Sequence, residues 1–203
     1  MDLMDLMKGH LSEELLAGLG QQFGAQPEQT ASATEGILHT LMGALAKNTS
    51  TPDGANALSS ALERDHDGSV LGDLMGLITG GGGQASSAPA LNGAGILSHI
   101  LGAKQDGAAN MIGQASGLDA GTVMSMMVKL APVVMGMLGK TKQDSGLDAS
   151  GLASLLGGHV QTQQAQNPAM GMIGKFLDQD QDGSYMDDLA GMGMKLLGGM
   201  FRK

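Results

Sequence analysis

The segment VMSMMVKLAPVVMGML, from Val123 to Leu138, decides how this chain folds. It is the most apolar stretch of the sequence, but it is shorter than the roughly 20 residues with which a helix crosses a bilayer, and it contains Lys129 and Pro132. We therefore predict that it forms a helix buried inside a protein core. No run alternates Val, Ile, Thr or aromatic residues with polar ones, so strands are not expected. The sequence predicts an all-α fold.

The same segment belongs to an internal repeat. Residues 117–140 align with residues 24–47 without a gap, at an offset of 93 residues. The best-matched stretches are MGALAK (42–47) with MGMLGK (135–140) and, at an offset of 94, ANALSSAL (55–62) with ASGLASLL (149–156). A duplication is the economical explanation, and the apolar spacing within each repeat is helical.

Each repeat has the spacing of a helix-turn-helix. Gly24 and Gly117 follow small residues, Gly20 and Gly113, by four positions, and each precedes a longer predicted helix. We predict two small helical bundles in tandem, with helix-turn-helix topology, joined by the Gly/Ser-rich linker TGGGGQASSAPALNG. The predicted limits are 1–78 for the first repeat, 79–93 for the linker, 94–156 for the second repeat, 157–171 for a Gln/Gly-rich insertion, and 172–203 for an acidic loop and a C-terminal helix.

Local signals indicate where the two longest helices begin and end. Pro27 suits the first turn of a helix that runs to about Lys47. Asp119 suits the cap of the equivalent helix in the second repeat, which runs to about Lys140. Both helices start directly after a glycine turn, so each turn and its helix form one unit.

The most conspicuous polar motif is FLDQDQDGSYMDDL, residues 176–189. An EF-hand calcium loop presents oxygen ligands at positions 1, 3, 5 and 7, a glycine at position 6 and a carboxylate at position 12. Here Asp178, Asp180 and Asp182 occupy positions 1, 3 and 5. A glycine follows at position 6, but Leu189 stands at position 12, so the predicted loop is shortened. The candidate calcium ligands are Asp178, Asp180, Asp182, Ser184, Asp187 and Asp188.

The acidic motif recurs in the first repeat as ERDHDGSVLGDL, residues 63–74. The weaker candidate ligands there are Glu63, Asp65, Asp67 and Asp73. Arg64 and His66 offset part of the negative charge of this segment. Carboxylates packed into one turn repel each other unless a cation neutralises them, and calcium suits many flexible oxygen ligands better than magnesium does. The alternative interpretation is an exposed polar turn in which solvent screens the charge.

Charge and composition disfavour several function classes. The chain has 20 acidic residues against 11 Lys plus Arg, a net charge of -9, which repels nucleic acid phosphates and anionic membranes. The helices predicted after Gly24 and Gly117 begin without Lys or Arg, which disfavours DNA binding. The sequence has no cysteine and therefore no disulfide or thiolate chemistry. Because no nucleophile, base and orienting group stand out, we expect no enzyme.

Five segments resemble the bacterial family of uncharacterised proteins related to YidB. They are TPDGANALSSAL (51–62), DHDGSVLGDL (65–74), GAGILSHILGAKQ (93–105), SGLDAGTVMSMMVKLAPVVMGMLGK (116–140) and FLDQDQDGSYMDDL (176–189). The resemblance implies a helical bacterial protein with homeodomain-like topology and no established activity. It supplies no catalytic residue that can be transferred to this chain.

We expect a non-catalytic structural or interaction protein that binds calcium through its acidic loops. Its expected partner is an unidentified protein or another molecule of the same chain. The alternative is a membrane-active or secreted factor that inserts residues 123–138 and the C-terminal GMGMKLLGGMFRK (191–203) into the membrane interface. The N-terminus carries acids where a secretory signal needs positive charge, so we assign the chain to the cytoplasm by default, with non-classical export left open.

Overall fold

The computed structural model describes residues 13–65 and 92–166, with side chains from 16–64 and 92–158. The helices are α1 (Glu13–Phe23), α2 (Pro27–Asn48), α3 (Pro52–Asp65), α4 (Gly93–Leu101), α5 (Gln105–Ser116), α6 (Ala120–Ser145) and α7 (Ala149–Gln166), with a short 3-10 helix, Gly102–Lys104, between α4 and α5. These described stretches contain no strand, and the all-α prediction is confirmed. Contacts divide the chain into Met1–Val160 and Gln161–Lys203, and the second unit is described only to the end of α7.

The two repeats contain matching helix–glycine–helix joints. Gly24 links α1 to α2 at φ 63°, and Gly117 links α5 to α6 at φ 75°. This left-handed backbone favours glycine because a side chain there is strained. In both joints the residue after the glycine donates its N–H to the carbonyl of the earlier small residue, Gly20 or Gly113, at 2.9 and 3.1 Å. The predicted turns are therefore present, while homeodomain-like topology stays a prediction.

The hydrophobic core of the described residues is centred on α6. Every residue from Leu130 to Gly139 is buried, although Pro132 interrupts the backbone hydrogen bonding of this helix. Helices α2, α3, α4 and α5 all pack against α6. Its methionines Met126 and Met127 are fully buried, whereas Met111 of α5 is 42% exposed. A helix that is apolar on all sides requires neighbours on all sides.

The buried residues of both repeats form one cluster rather than two. Ile37 and Leu41 of α2 belong to the same cluster as Leu97 of α4 and Leu130 of α6. The prediction of two tandem bundles, each with its own core, therefore differs from the described structure. The physical reason is that α6 is apolar and buried on all sides from Leu130 to Gly139, and α2 and α3 of the first repeat pack against it together with α4 and α5.

Helix α4 approaches the backbone of α6 closely at Gly93. A Cβ atom added to Gly93 would collide with the carbonyl oxygen of Val128. That carbonyl is the one that an N–H at position 132 would bind, and Pro132 has no N–H. The missing side chain at Gly93 thus lets α4 begin against the irregular turn of α6.

The predicted domain limits are described only in part. The predicted linker 79–93 ends where α4 begins, and its other residues lie outside the described ranges except for Asn92. Helix α7 continues without a break from Ala149 to Gln166, so the predicted insertion 157–171 begins inside a helix. Residues 172–203, which hold the second acidic segment, lie outside the described ranges.

Replacing Gly93 with Ala should lower the free energy of unfolding by about 2 kcal/mol, because the added methyl group overpacks the contact with Val128. The matched control is Gly43→Ala in α2, where an added Cβ would meet nothing within 4 Å. That change should raise the free energy of unfolding by up to about 1 kcal/mol, because alanine favours a helix more than glycine does. Urea denaturation followed by circular dichroism measures both, and equal effects of the two variants would contradict the close approach.

Replacing Thr34 with Val should raise the free energy of unfolding by about 1 kcal/mol. The Thr34 hydroxyl is buried and has no hydrogen-bond partner among the described residues, so its removal relieves a desolvation cost. Thr30→Val is the control, because the equally buried Thr30 hydroxyl donates to the Gln26 carbonyl at 3.0 Å. Thermal and urea unfolding compare the two. Destabilisation of both variants would mean that the Thr34 hydroxyl is bonded.

Candidate functional site

The first acidic segment begins on a helix and meets a lysine of the second repeat. Glu63 lies in the last turn of α3, and its carboxylate oxygen is 2.6 Å from the Lys142 Nζ of α6. The Lys142 side chain is only 12% exposed, whereas that of Glu63 is 64% exposed. The hydrogen bond from Lys142, followed by its positive charge, lowers the pKa of Glu63, and a hydrogen bond with Ser59 adds to this effect. One predicted calcium ligand is therefore already paired with a cation.

The other predicted calcium ligands lie mostly outside the described residues. Asp65 is the last residue of α3, while Asp67 and Asp73 follow in a segment that is not described. The same holds for all six candidates in the C-terminal segment, Asp178, Asp180, Asp182, Ser184, Asp187 and Asp188. Within residues 13–65 and 92–166, no group of three or more His, Asp or Glu side chains is arranged to hold a metal ion. Calcium binding stays a prediction.

A second local motif, Ser-Gly-Leu-Asp-Ala, occurs twice and was missed by the sequence analysis. It joins α5 to α6 at residues 116–120 and α6 to α7 at residues 145–149. Gly146, like the glycine of the first motif, has a positive φ, here 60°. The aspartate of each motif caps the next helix: Asp119 Oδ1 accepts from the Thr122 N–H at 2.9 Å and Asp148 Oδ1 from the Gly151 N–H at 2.7 Å. The repeated five letters, at an offset of 29, were the available signal.

The two capping aspartates are held in their ionised form. The Thr122 hydroxyl, 2.5 Å from Asp119 Oδ2, lowers the pKa of Asp119 most, and the Thr122 backbone N–H adds to the effect. The pKa of Asp148 is lowered first by the Gly151 N–H and then by the hydroxyl of Ser150, which lies at 2.8 Å. A general acid or base needs a pKa near the working pH, and these shifts run in the opposite direction. The two groups serve as helix caps.

Polar contacts also connect the first repeat with the rest of the core. Gln29 Nε2 donates to the carbonyl of Gly117, the turn glycine of the second repeat, at 2.9 Å. Asn48 Nδ2 donates to the carbonyl of Ile100 near the end of α4 at 3.1 Å. These two bonds satisfy carbonyl groups at helix ends, and with the Glu63–Lys142 ion pair they fix how the repeats are aligned. None of the three was visible to the sequence analysis, because their partners are between 52 and 88 residues apart.

The surfaces needed by the alternative functions are limited in the described residues. By length and composition α6 is long and apolar enough to cross a membrane, but 67% of its apolar 18-residue stretch is buried inside the protein. Lys129, the cation within this helix, lies over the ring of Phe23, 5.9 Å from its centroid. The starts of α2 and α6, where a DNA-reading helix would carry base contacts, hold no Lys or Arg.

A cleft and a groove open on the described surface. A cleft of about 360 Å³ lies between the starts of α3 and α7, and its hydroxyl groups at Ser50, Thr51 and Ser150 are all hydrogen-bonded within the protein. An apolar groove of about 620 Å³ follows the joint between α1 and α2. Its described lining residues are Leu16, Ala17, Gly20, Gln21, Gly24, Ala25 and Pro27.

The described residues form an all-helical protein in which the helix–glycine–helix joints at Gly24 and Gly117 share one core. Residues 5–141 match the family DUF937, described as bacterial proteins of unknown function, and the chain belongs to this family. The match spans the first repeat, α4, α5 and most of α6, and it ends before α7. No curated protein and no solved structure matches the chain. The prediction of an uncharacterised bacterial family is confirmed, and the particular resemblance to YidB stays a prediction.

The double variant Asp119→Asn/Asp148→Asn should flatten the dependence of stability on pH. Because both carboxyl groups have a lowered pKa in the folded protein, they stabilise it above the ordinary pKa of Asp. This contribution is lost as the pH falls through the lowered values. The parent should therefore lose more stability between pH about 5 and about 2 than the variant does, whose asparagines still cap the helices but do not titrate.

Urea midpoints at several pH values measure this difference. Thr122→Val serves as a partial control, because it removes the hydroxyl that lowers the pKa of Asp119 most and leaves the backbone N–H in place. It should remove part of the dependence that the double variant removes. Parallel midpoint curves for the parent and the double variant would refute the assignment.

Proposed function

We propose that this chain is a non-catalytic helical scaffold that acts by binding a partner and that its acidic segments bind calcium. The scaffold role is supported by the structural contacts that its acidic side chains make. Structural contacts lower the pKa of three described carboxylates, Glu63, Asp119 and Asp148. Asp119 and Asp148 cap helices, and Glu63 pairs with Lys142 of the other repeat. These carboxylates therefore stabilise the arrangement of the helices.

The calcium role is supported by where the first acidic segment starts. In an EF-hand the loop follows directly from a helix, and α3 ends at Asp65, the third residue of the segment that begins at Glu63. Glu63 is a poor ligand for position 1 of the first loop because it is paired with Lys142. Calcium would have to displace the Lys142 ammonium group, whose side chain is only slightly exposed. The C-terminal segment, with its alternating aspartates and no basic residue within 178–188, is therefore the stronger proposed site.

The helix–glycine–helix joints are proposed to serve packing rather than DNA binding, with homeodomain-like topology retained as part of the proposal. The acids near the start of α2 and the burial of α6 favour this interpretation. The same burial weighs against a membrane role for residues 123–138. The absence of an enzymatic activity and a cytoplasmic location belong to the proposal as well.

Calorimetric titration of the whole chain with calcium tests the proposal. The parent should give heat that saturates, and Asp180→Asn/Asp182→Asn should weaken the binding at least about tenfold, because two anionic ligands become neutral. The matched control is Asp65→Asn/Asp67→Asn, which makes the same change in the first segment and should leave the stronger binding intact. Magnesium in place of calcium tests the choice of ion.

Two results would contradict this proposal. The first is the absence of heat at millimolar calcium in the parent, which would leave both segments as solvated polar turns. The second is an equal loss in both double variants, since that would mean that overall negative charge, rather than a site at 178–188, attracts the ion.

A further inference from the structure

The contact between the two repeats shows part of the reciprocity of a twofold dimer interface. Gly36 of α2 faces Ile112 of α5, so that a Cβ at Gly36 would lie 3.2 Å from the Ile112 Cγ2. The equivalent of Gly36, 93 residues further on, is Lys129 of α6, and it reaches the ring of Phe23 at the end of α1. The second helix of each joint thus meets the first helix of the other joint, along their length for α2 and α5 and through one side chain for α6 and α1. In twofold interfaces the same patches meet in both directions.

The cleft between α3 and α7 supplies an independent observation. Ala55 and Ala149 occupy equivalent positions in the repeats, 94 residues apart, and both line this cleft. Asn56 and Ser150 are the next equivalent pair, and both line it too. Residues meet their own equivalents only near a twofold axis, so the cleft marks an approximate twofold relation between the repeats.

We infer that the chain carries a complete dimer interface within itself and that a second molecule of the same chain can occupy it. In such an assembly α1–α3 of one chain pack against α4–α7 of the other, and the reverse. Every described contact between the parts is kept, including the Gln29–Gly117 and Glu63–Lys142 bonds. This assembly is independent of calcium binding, and it identifies the surface for the self-association included among the expected partners.

The chain between the two parts decides the concentration at which the exchange occurs. Residues 66–91 join α3 to the start of the second part, and extended they span up to roughly 90 Å. Parts joined in one chain generally have effective concentrations on the order of 1 mM. Pairing within one chain should therefore dominate well below that concentration, and exchange between chains should rise towards it.

Cross-linking between whole chains tests the inference, and the cysteine-free sequence makes the added thiols unique. One chain carries Glu63→Cys and a second, isotopically labelled chain carries Lys142→Cys. The two are unfolded, mixed, refolded together at about 10 µM or about 1 mM, and treated with a short bismaleimide. A single chain with both changes is the control for reach, because the parent side chains at these positions lie 2.6 Å apart.

Collisions yield mixed and like pairs in statistical proportion, whereas exchanged chains place Cys at 63 only beside Cys at 142 of the other chain. The expected result is an excess of the mixed product over the statistical share at about 1 mM, with no excess at about 10 µM. A statistical product ratio at both concentrations, while the doubly changed chain cross-links internally, would overturn the inference. Failure of that internal cross-link would overturn it as well, because it would remove the contact between repeats on which it rests.

Discussion

The structure depends on one constraint, which is that α6 has no polar side between Leu130 and Gly139. Such a helix cannot lie at a surface. Helices α2 and α3 of the first repeat therefore pack against α6 together with α4 and α5. The shared core, the close approach at Gly93 and the bonds across the repeats all follow from the need to enclose this helix.

Polar groups in the described structure mainly align helices that the apolar core would leave free to slide. Leu, Ala and Met side chains pack adaptably and define relative position weakly. Directional bonds compensate for this. Asp119 and Asp148 determine where α6 and α7 begin, and the side chains of Gln29 and Asn48 reach backbone carbonyls at the ends of helices from the other part of the core. Without such contacts the methionine-rich interior would tolerate several alignments of the repeats.

Local features were predictable from the sequence, and the arrangement of the repeats was not. The turns at Gly24 and Gly117, the start of α2 at Pro27 and the Asp119 cap depend on neighbouring residues, which the sequence displays directly. The shared core depends on pairs such as Glu63 and Lys142, 79 residues apart, for which no local pattern exists. A glycine-rich stretch between two similar repeats led to the prediction of separate bundles. The composition of a linker does not show whether the parts that it joins have complementary surfaces, so the shared core was not predicted. The candidate calcium ligands were read from spacing alone, and only Glu63 has a described environment.

Because Met126 and Met127 are buried, the folded bundle protects both side chains from oxidation. Thioether sulfur oxidises readily to the sulfoxide, which is polar and enlarged, but only where an oxidant can reach it. Met111 of α5 is 42% exposed and accessible to an oxidant, whereas Met126 and Met127 have no exposed surface. A sulfoxide at either buried position would place an unpartnered S=O group in the shared core. The two repeats would then not pack around this core again until the sulfoxide was reduced to the thioether.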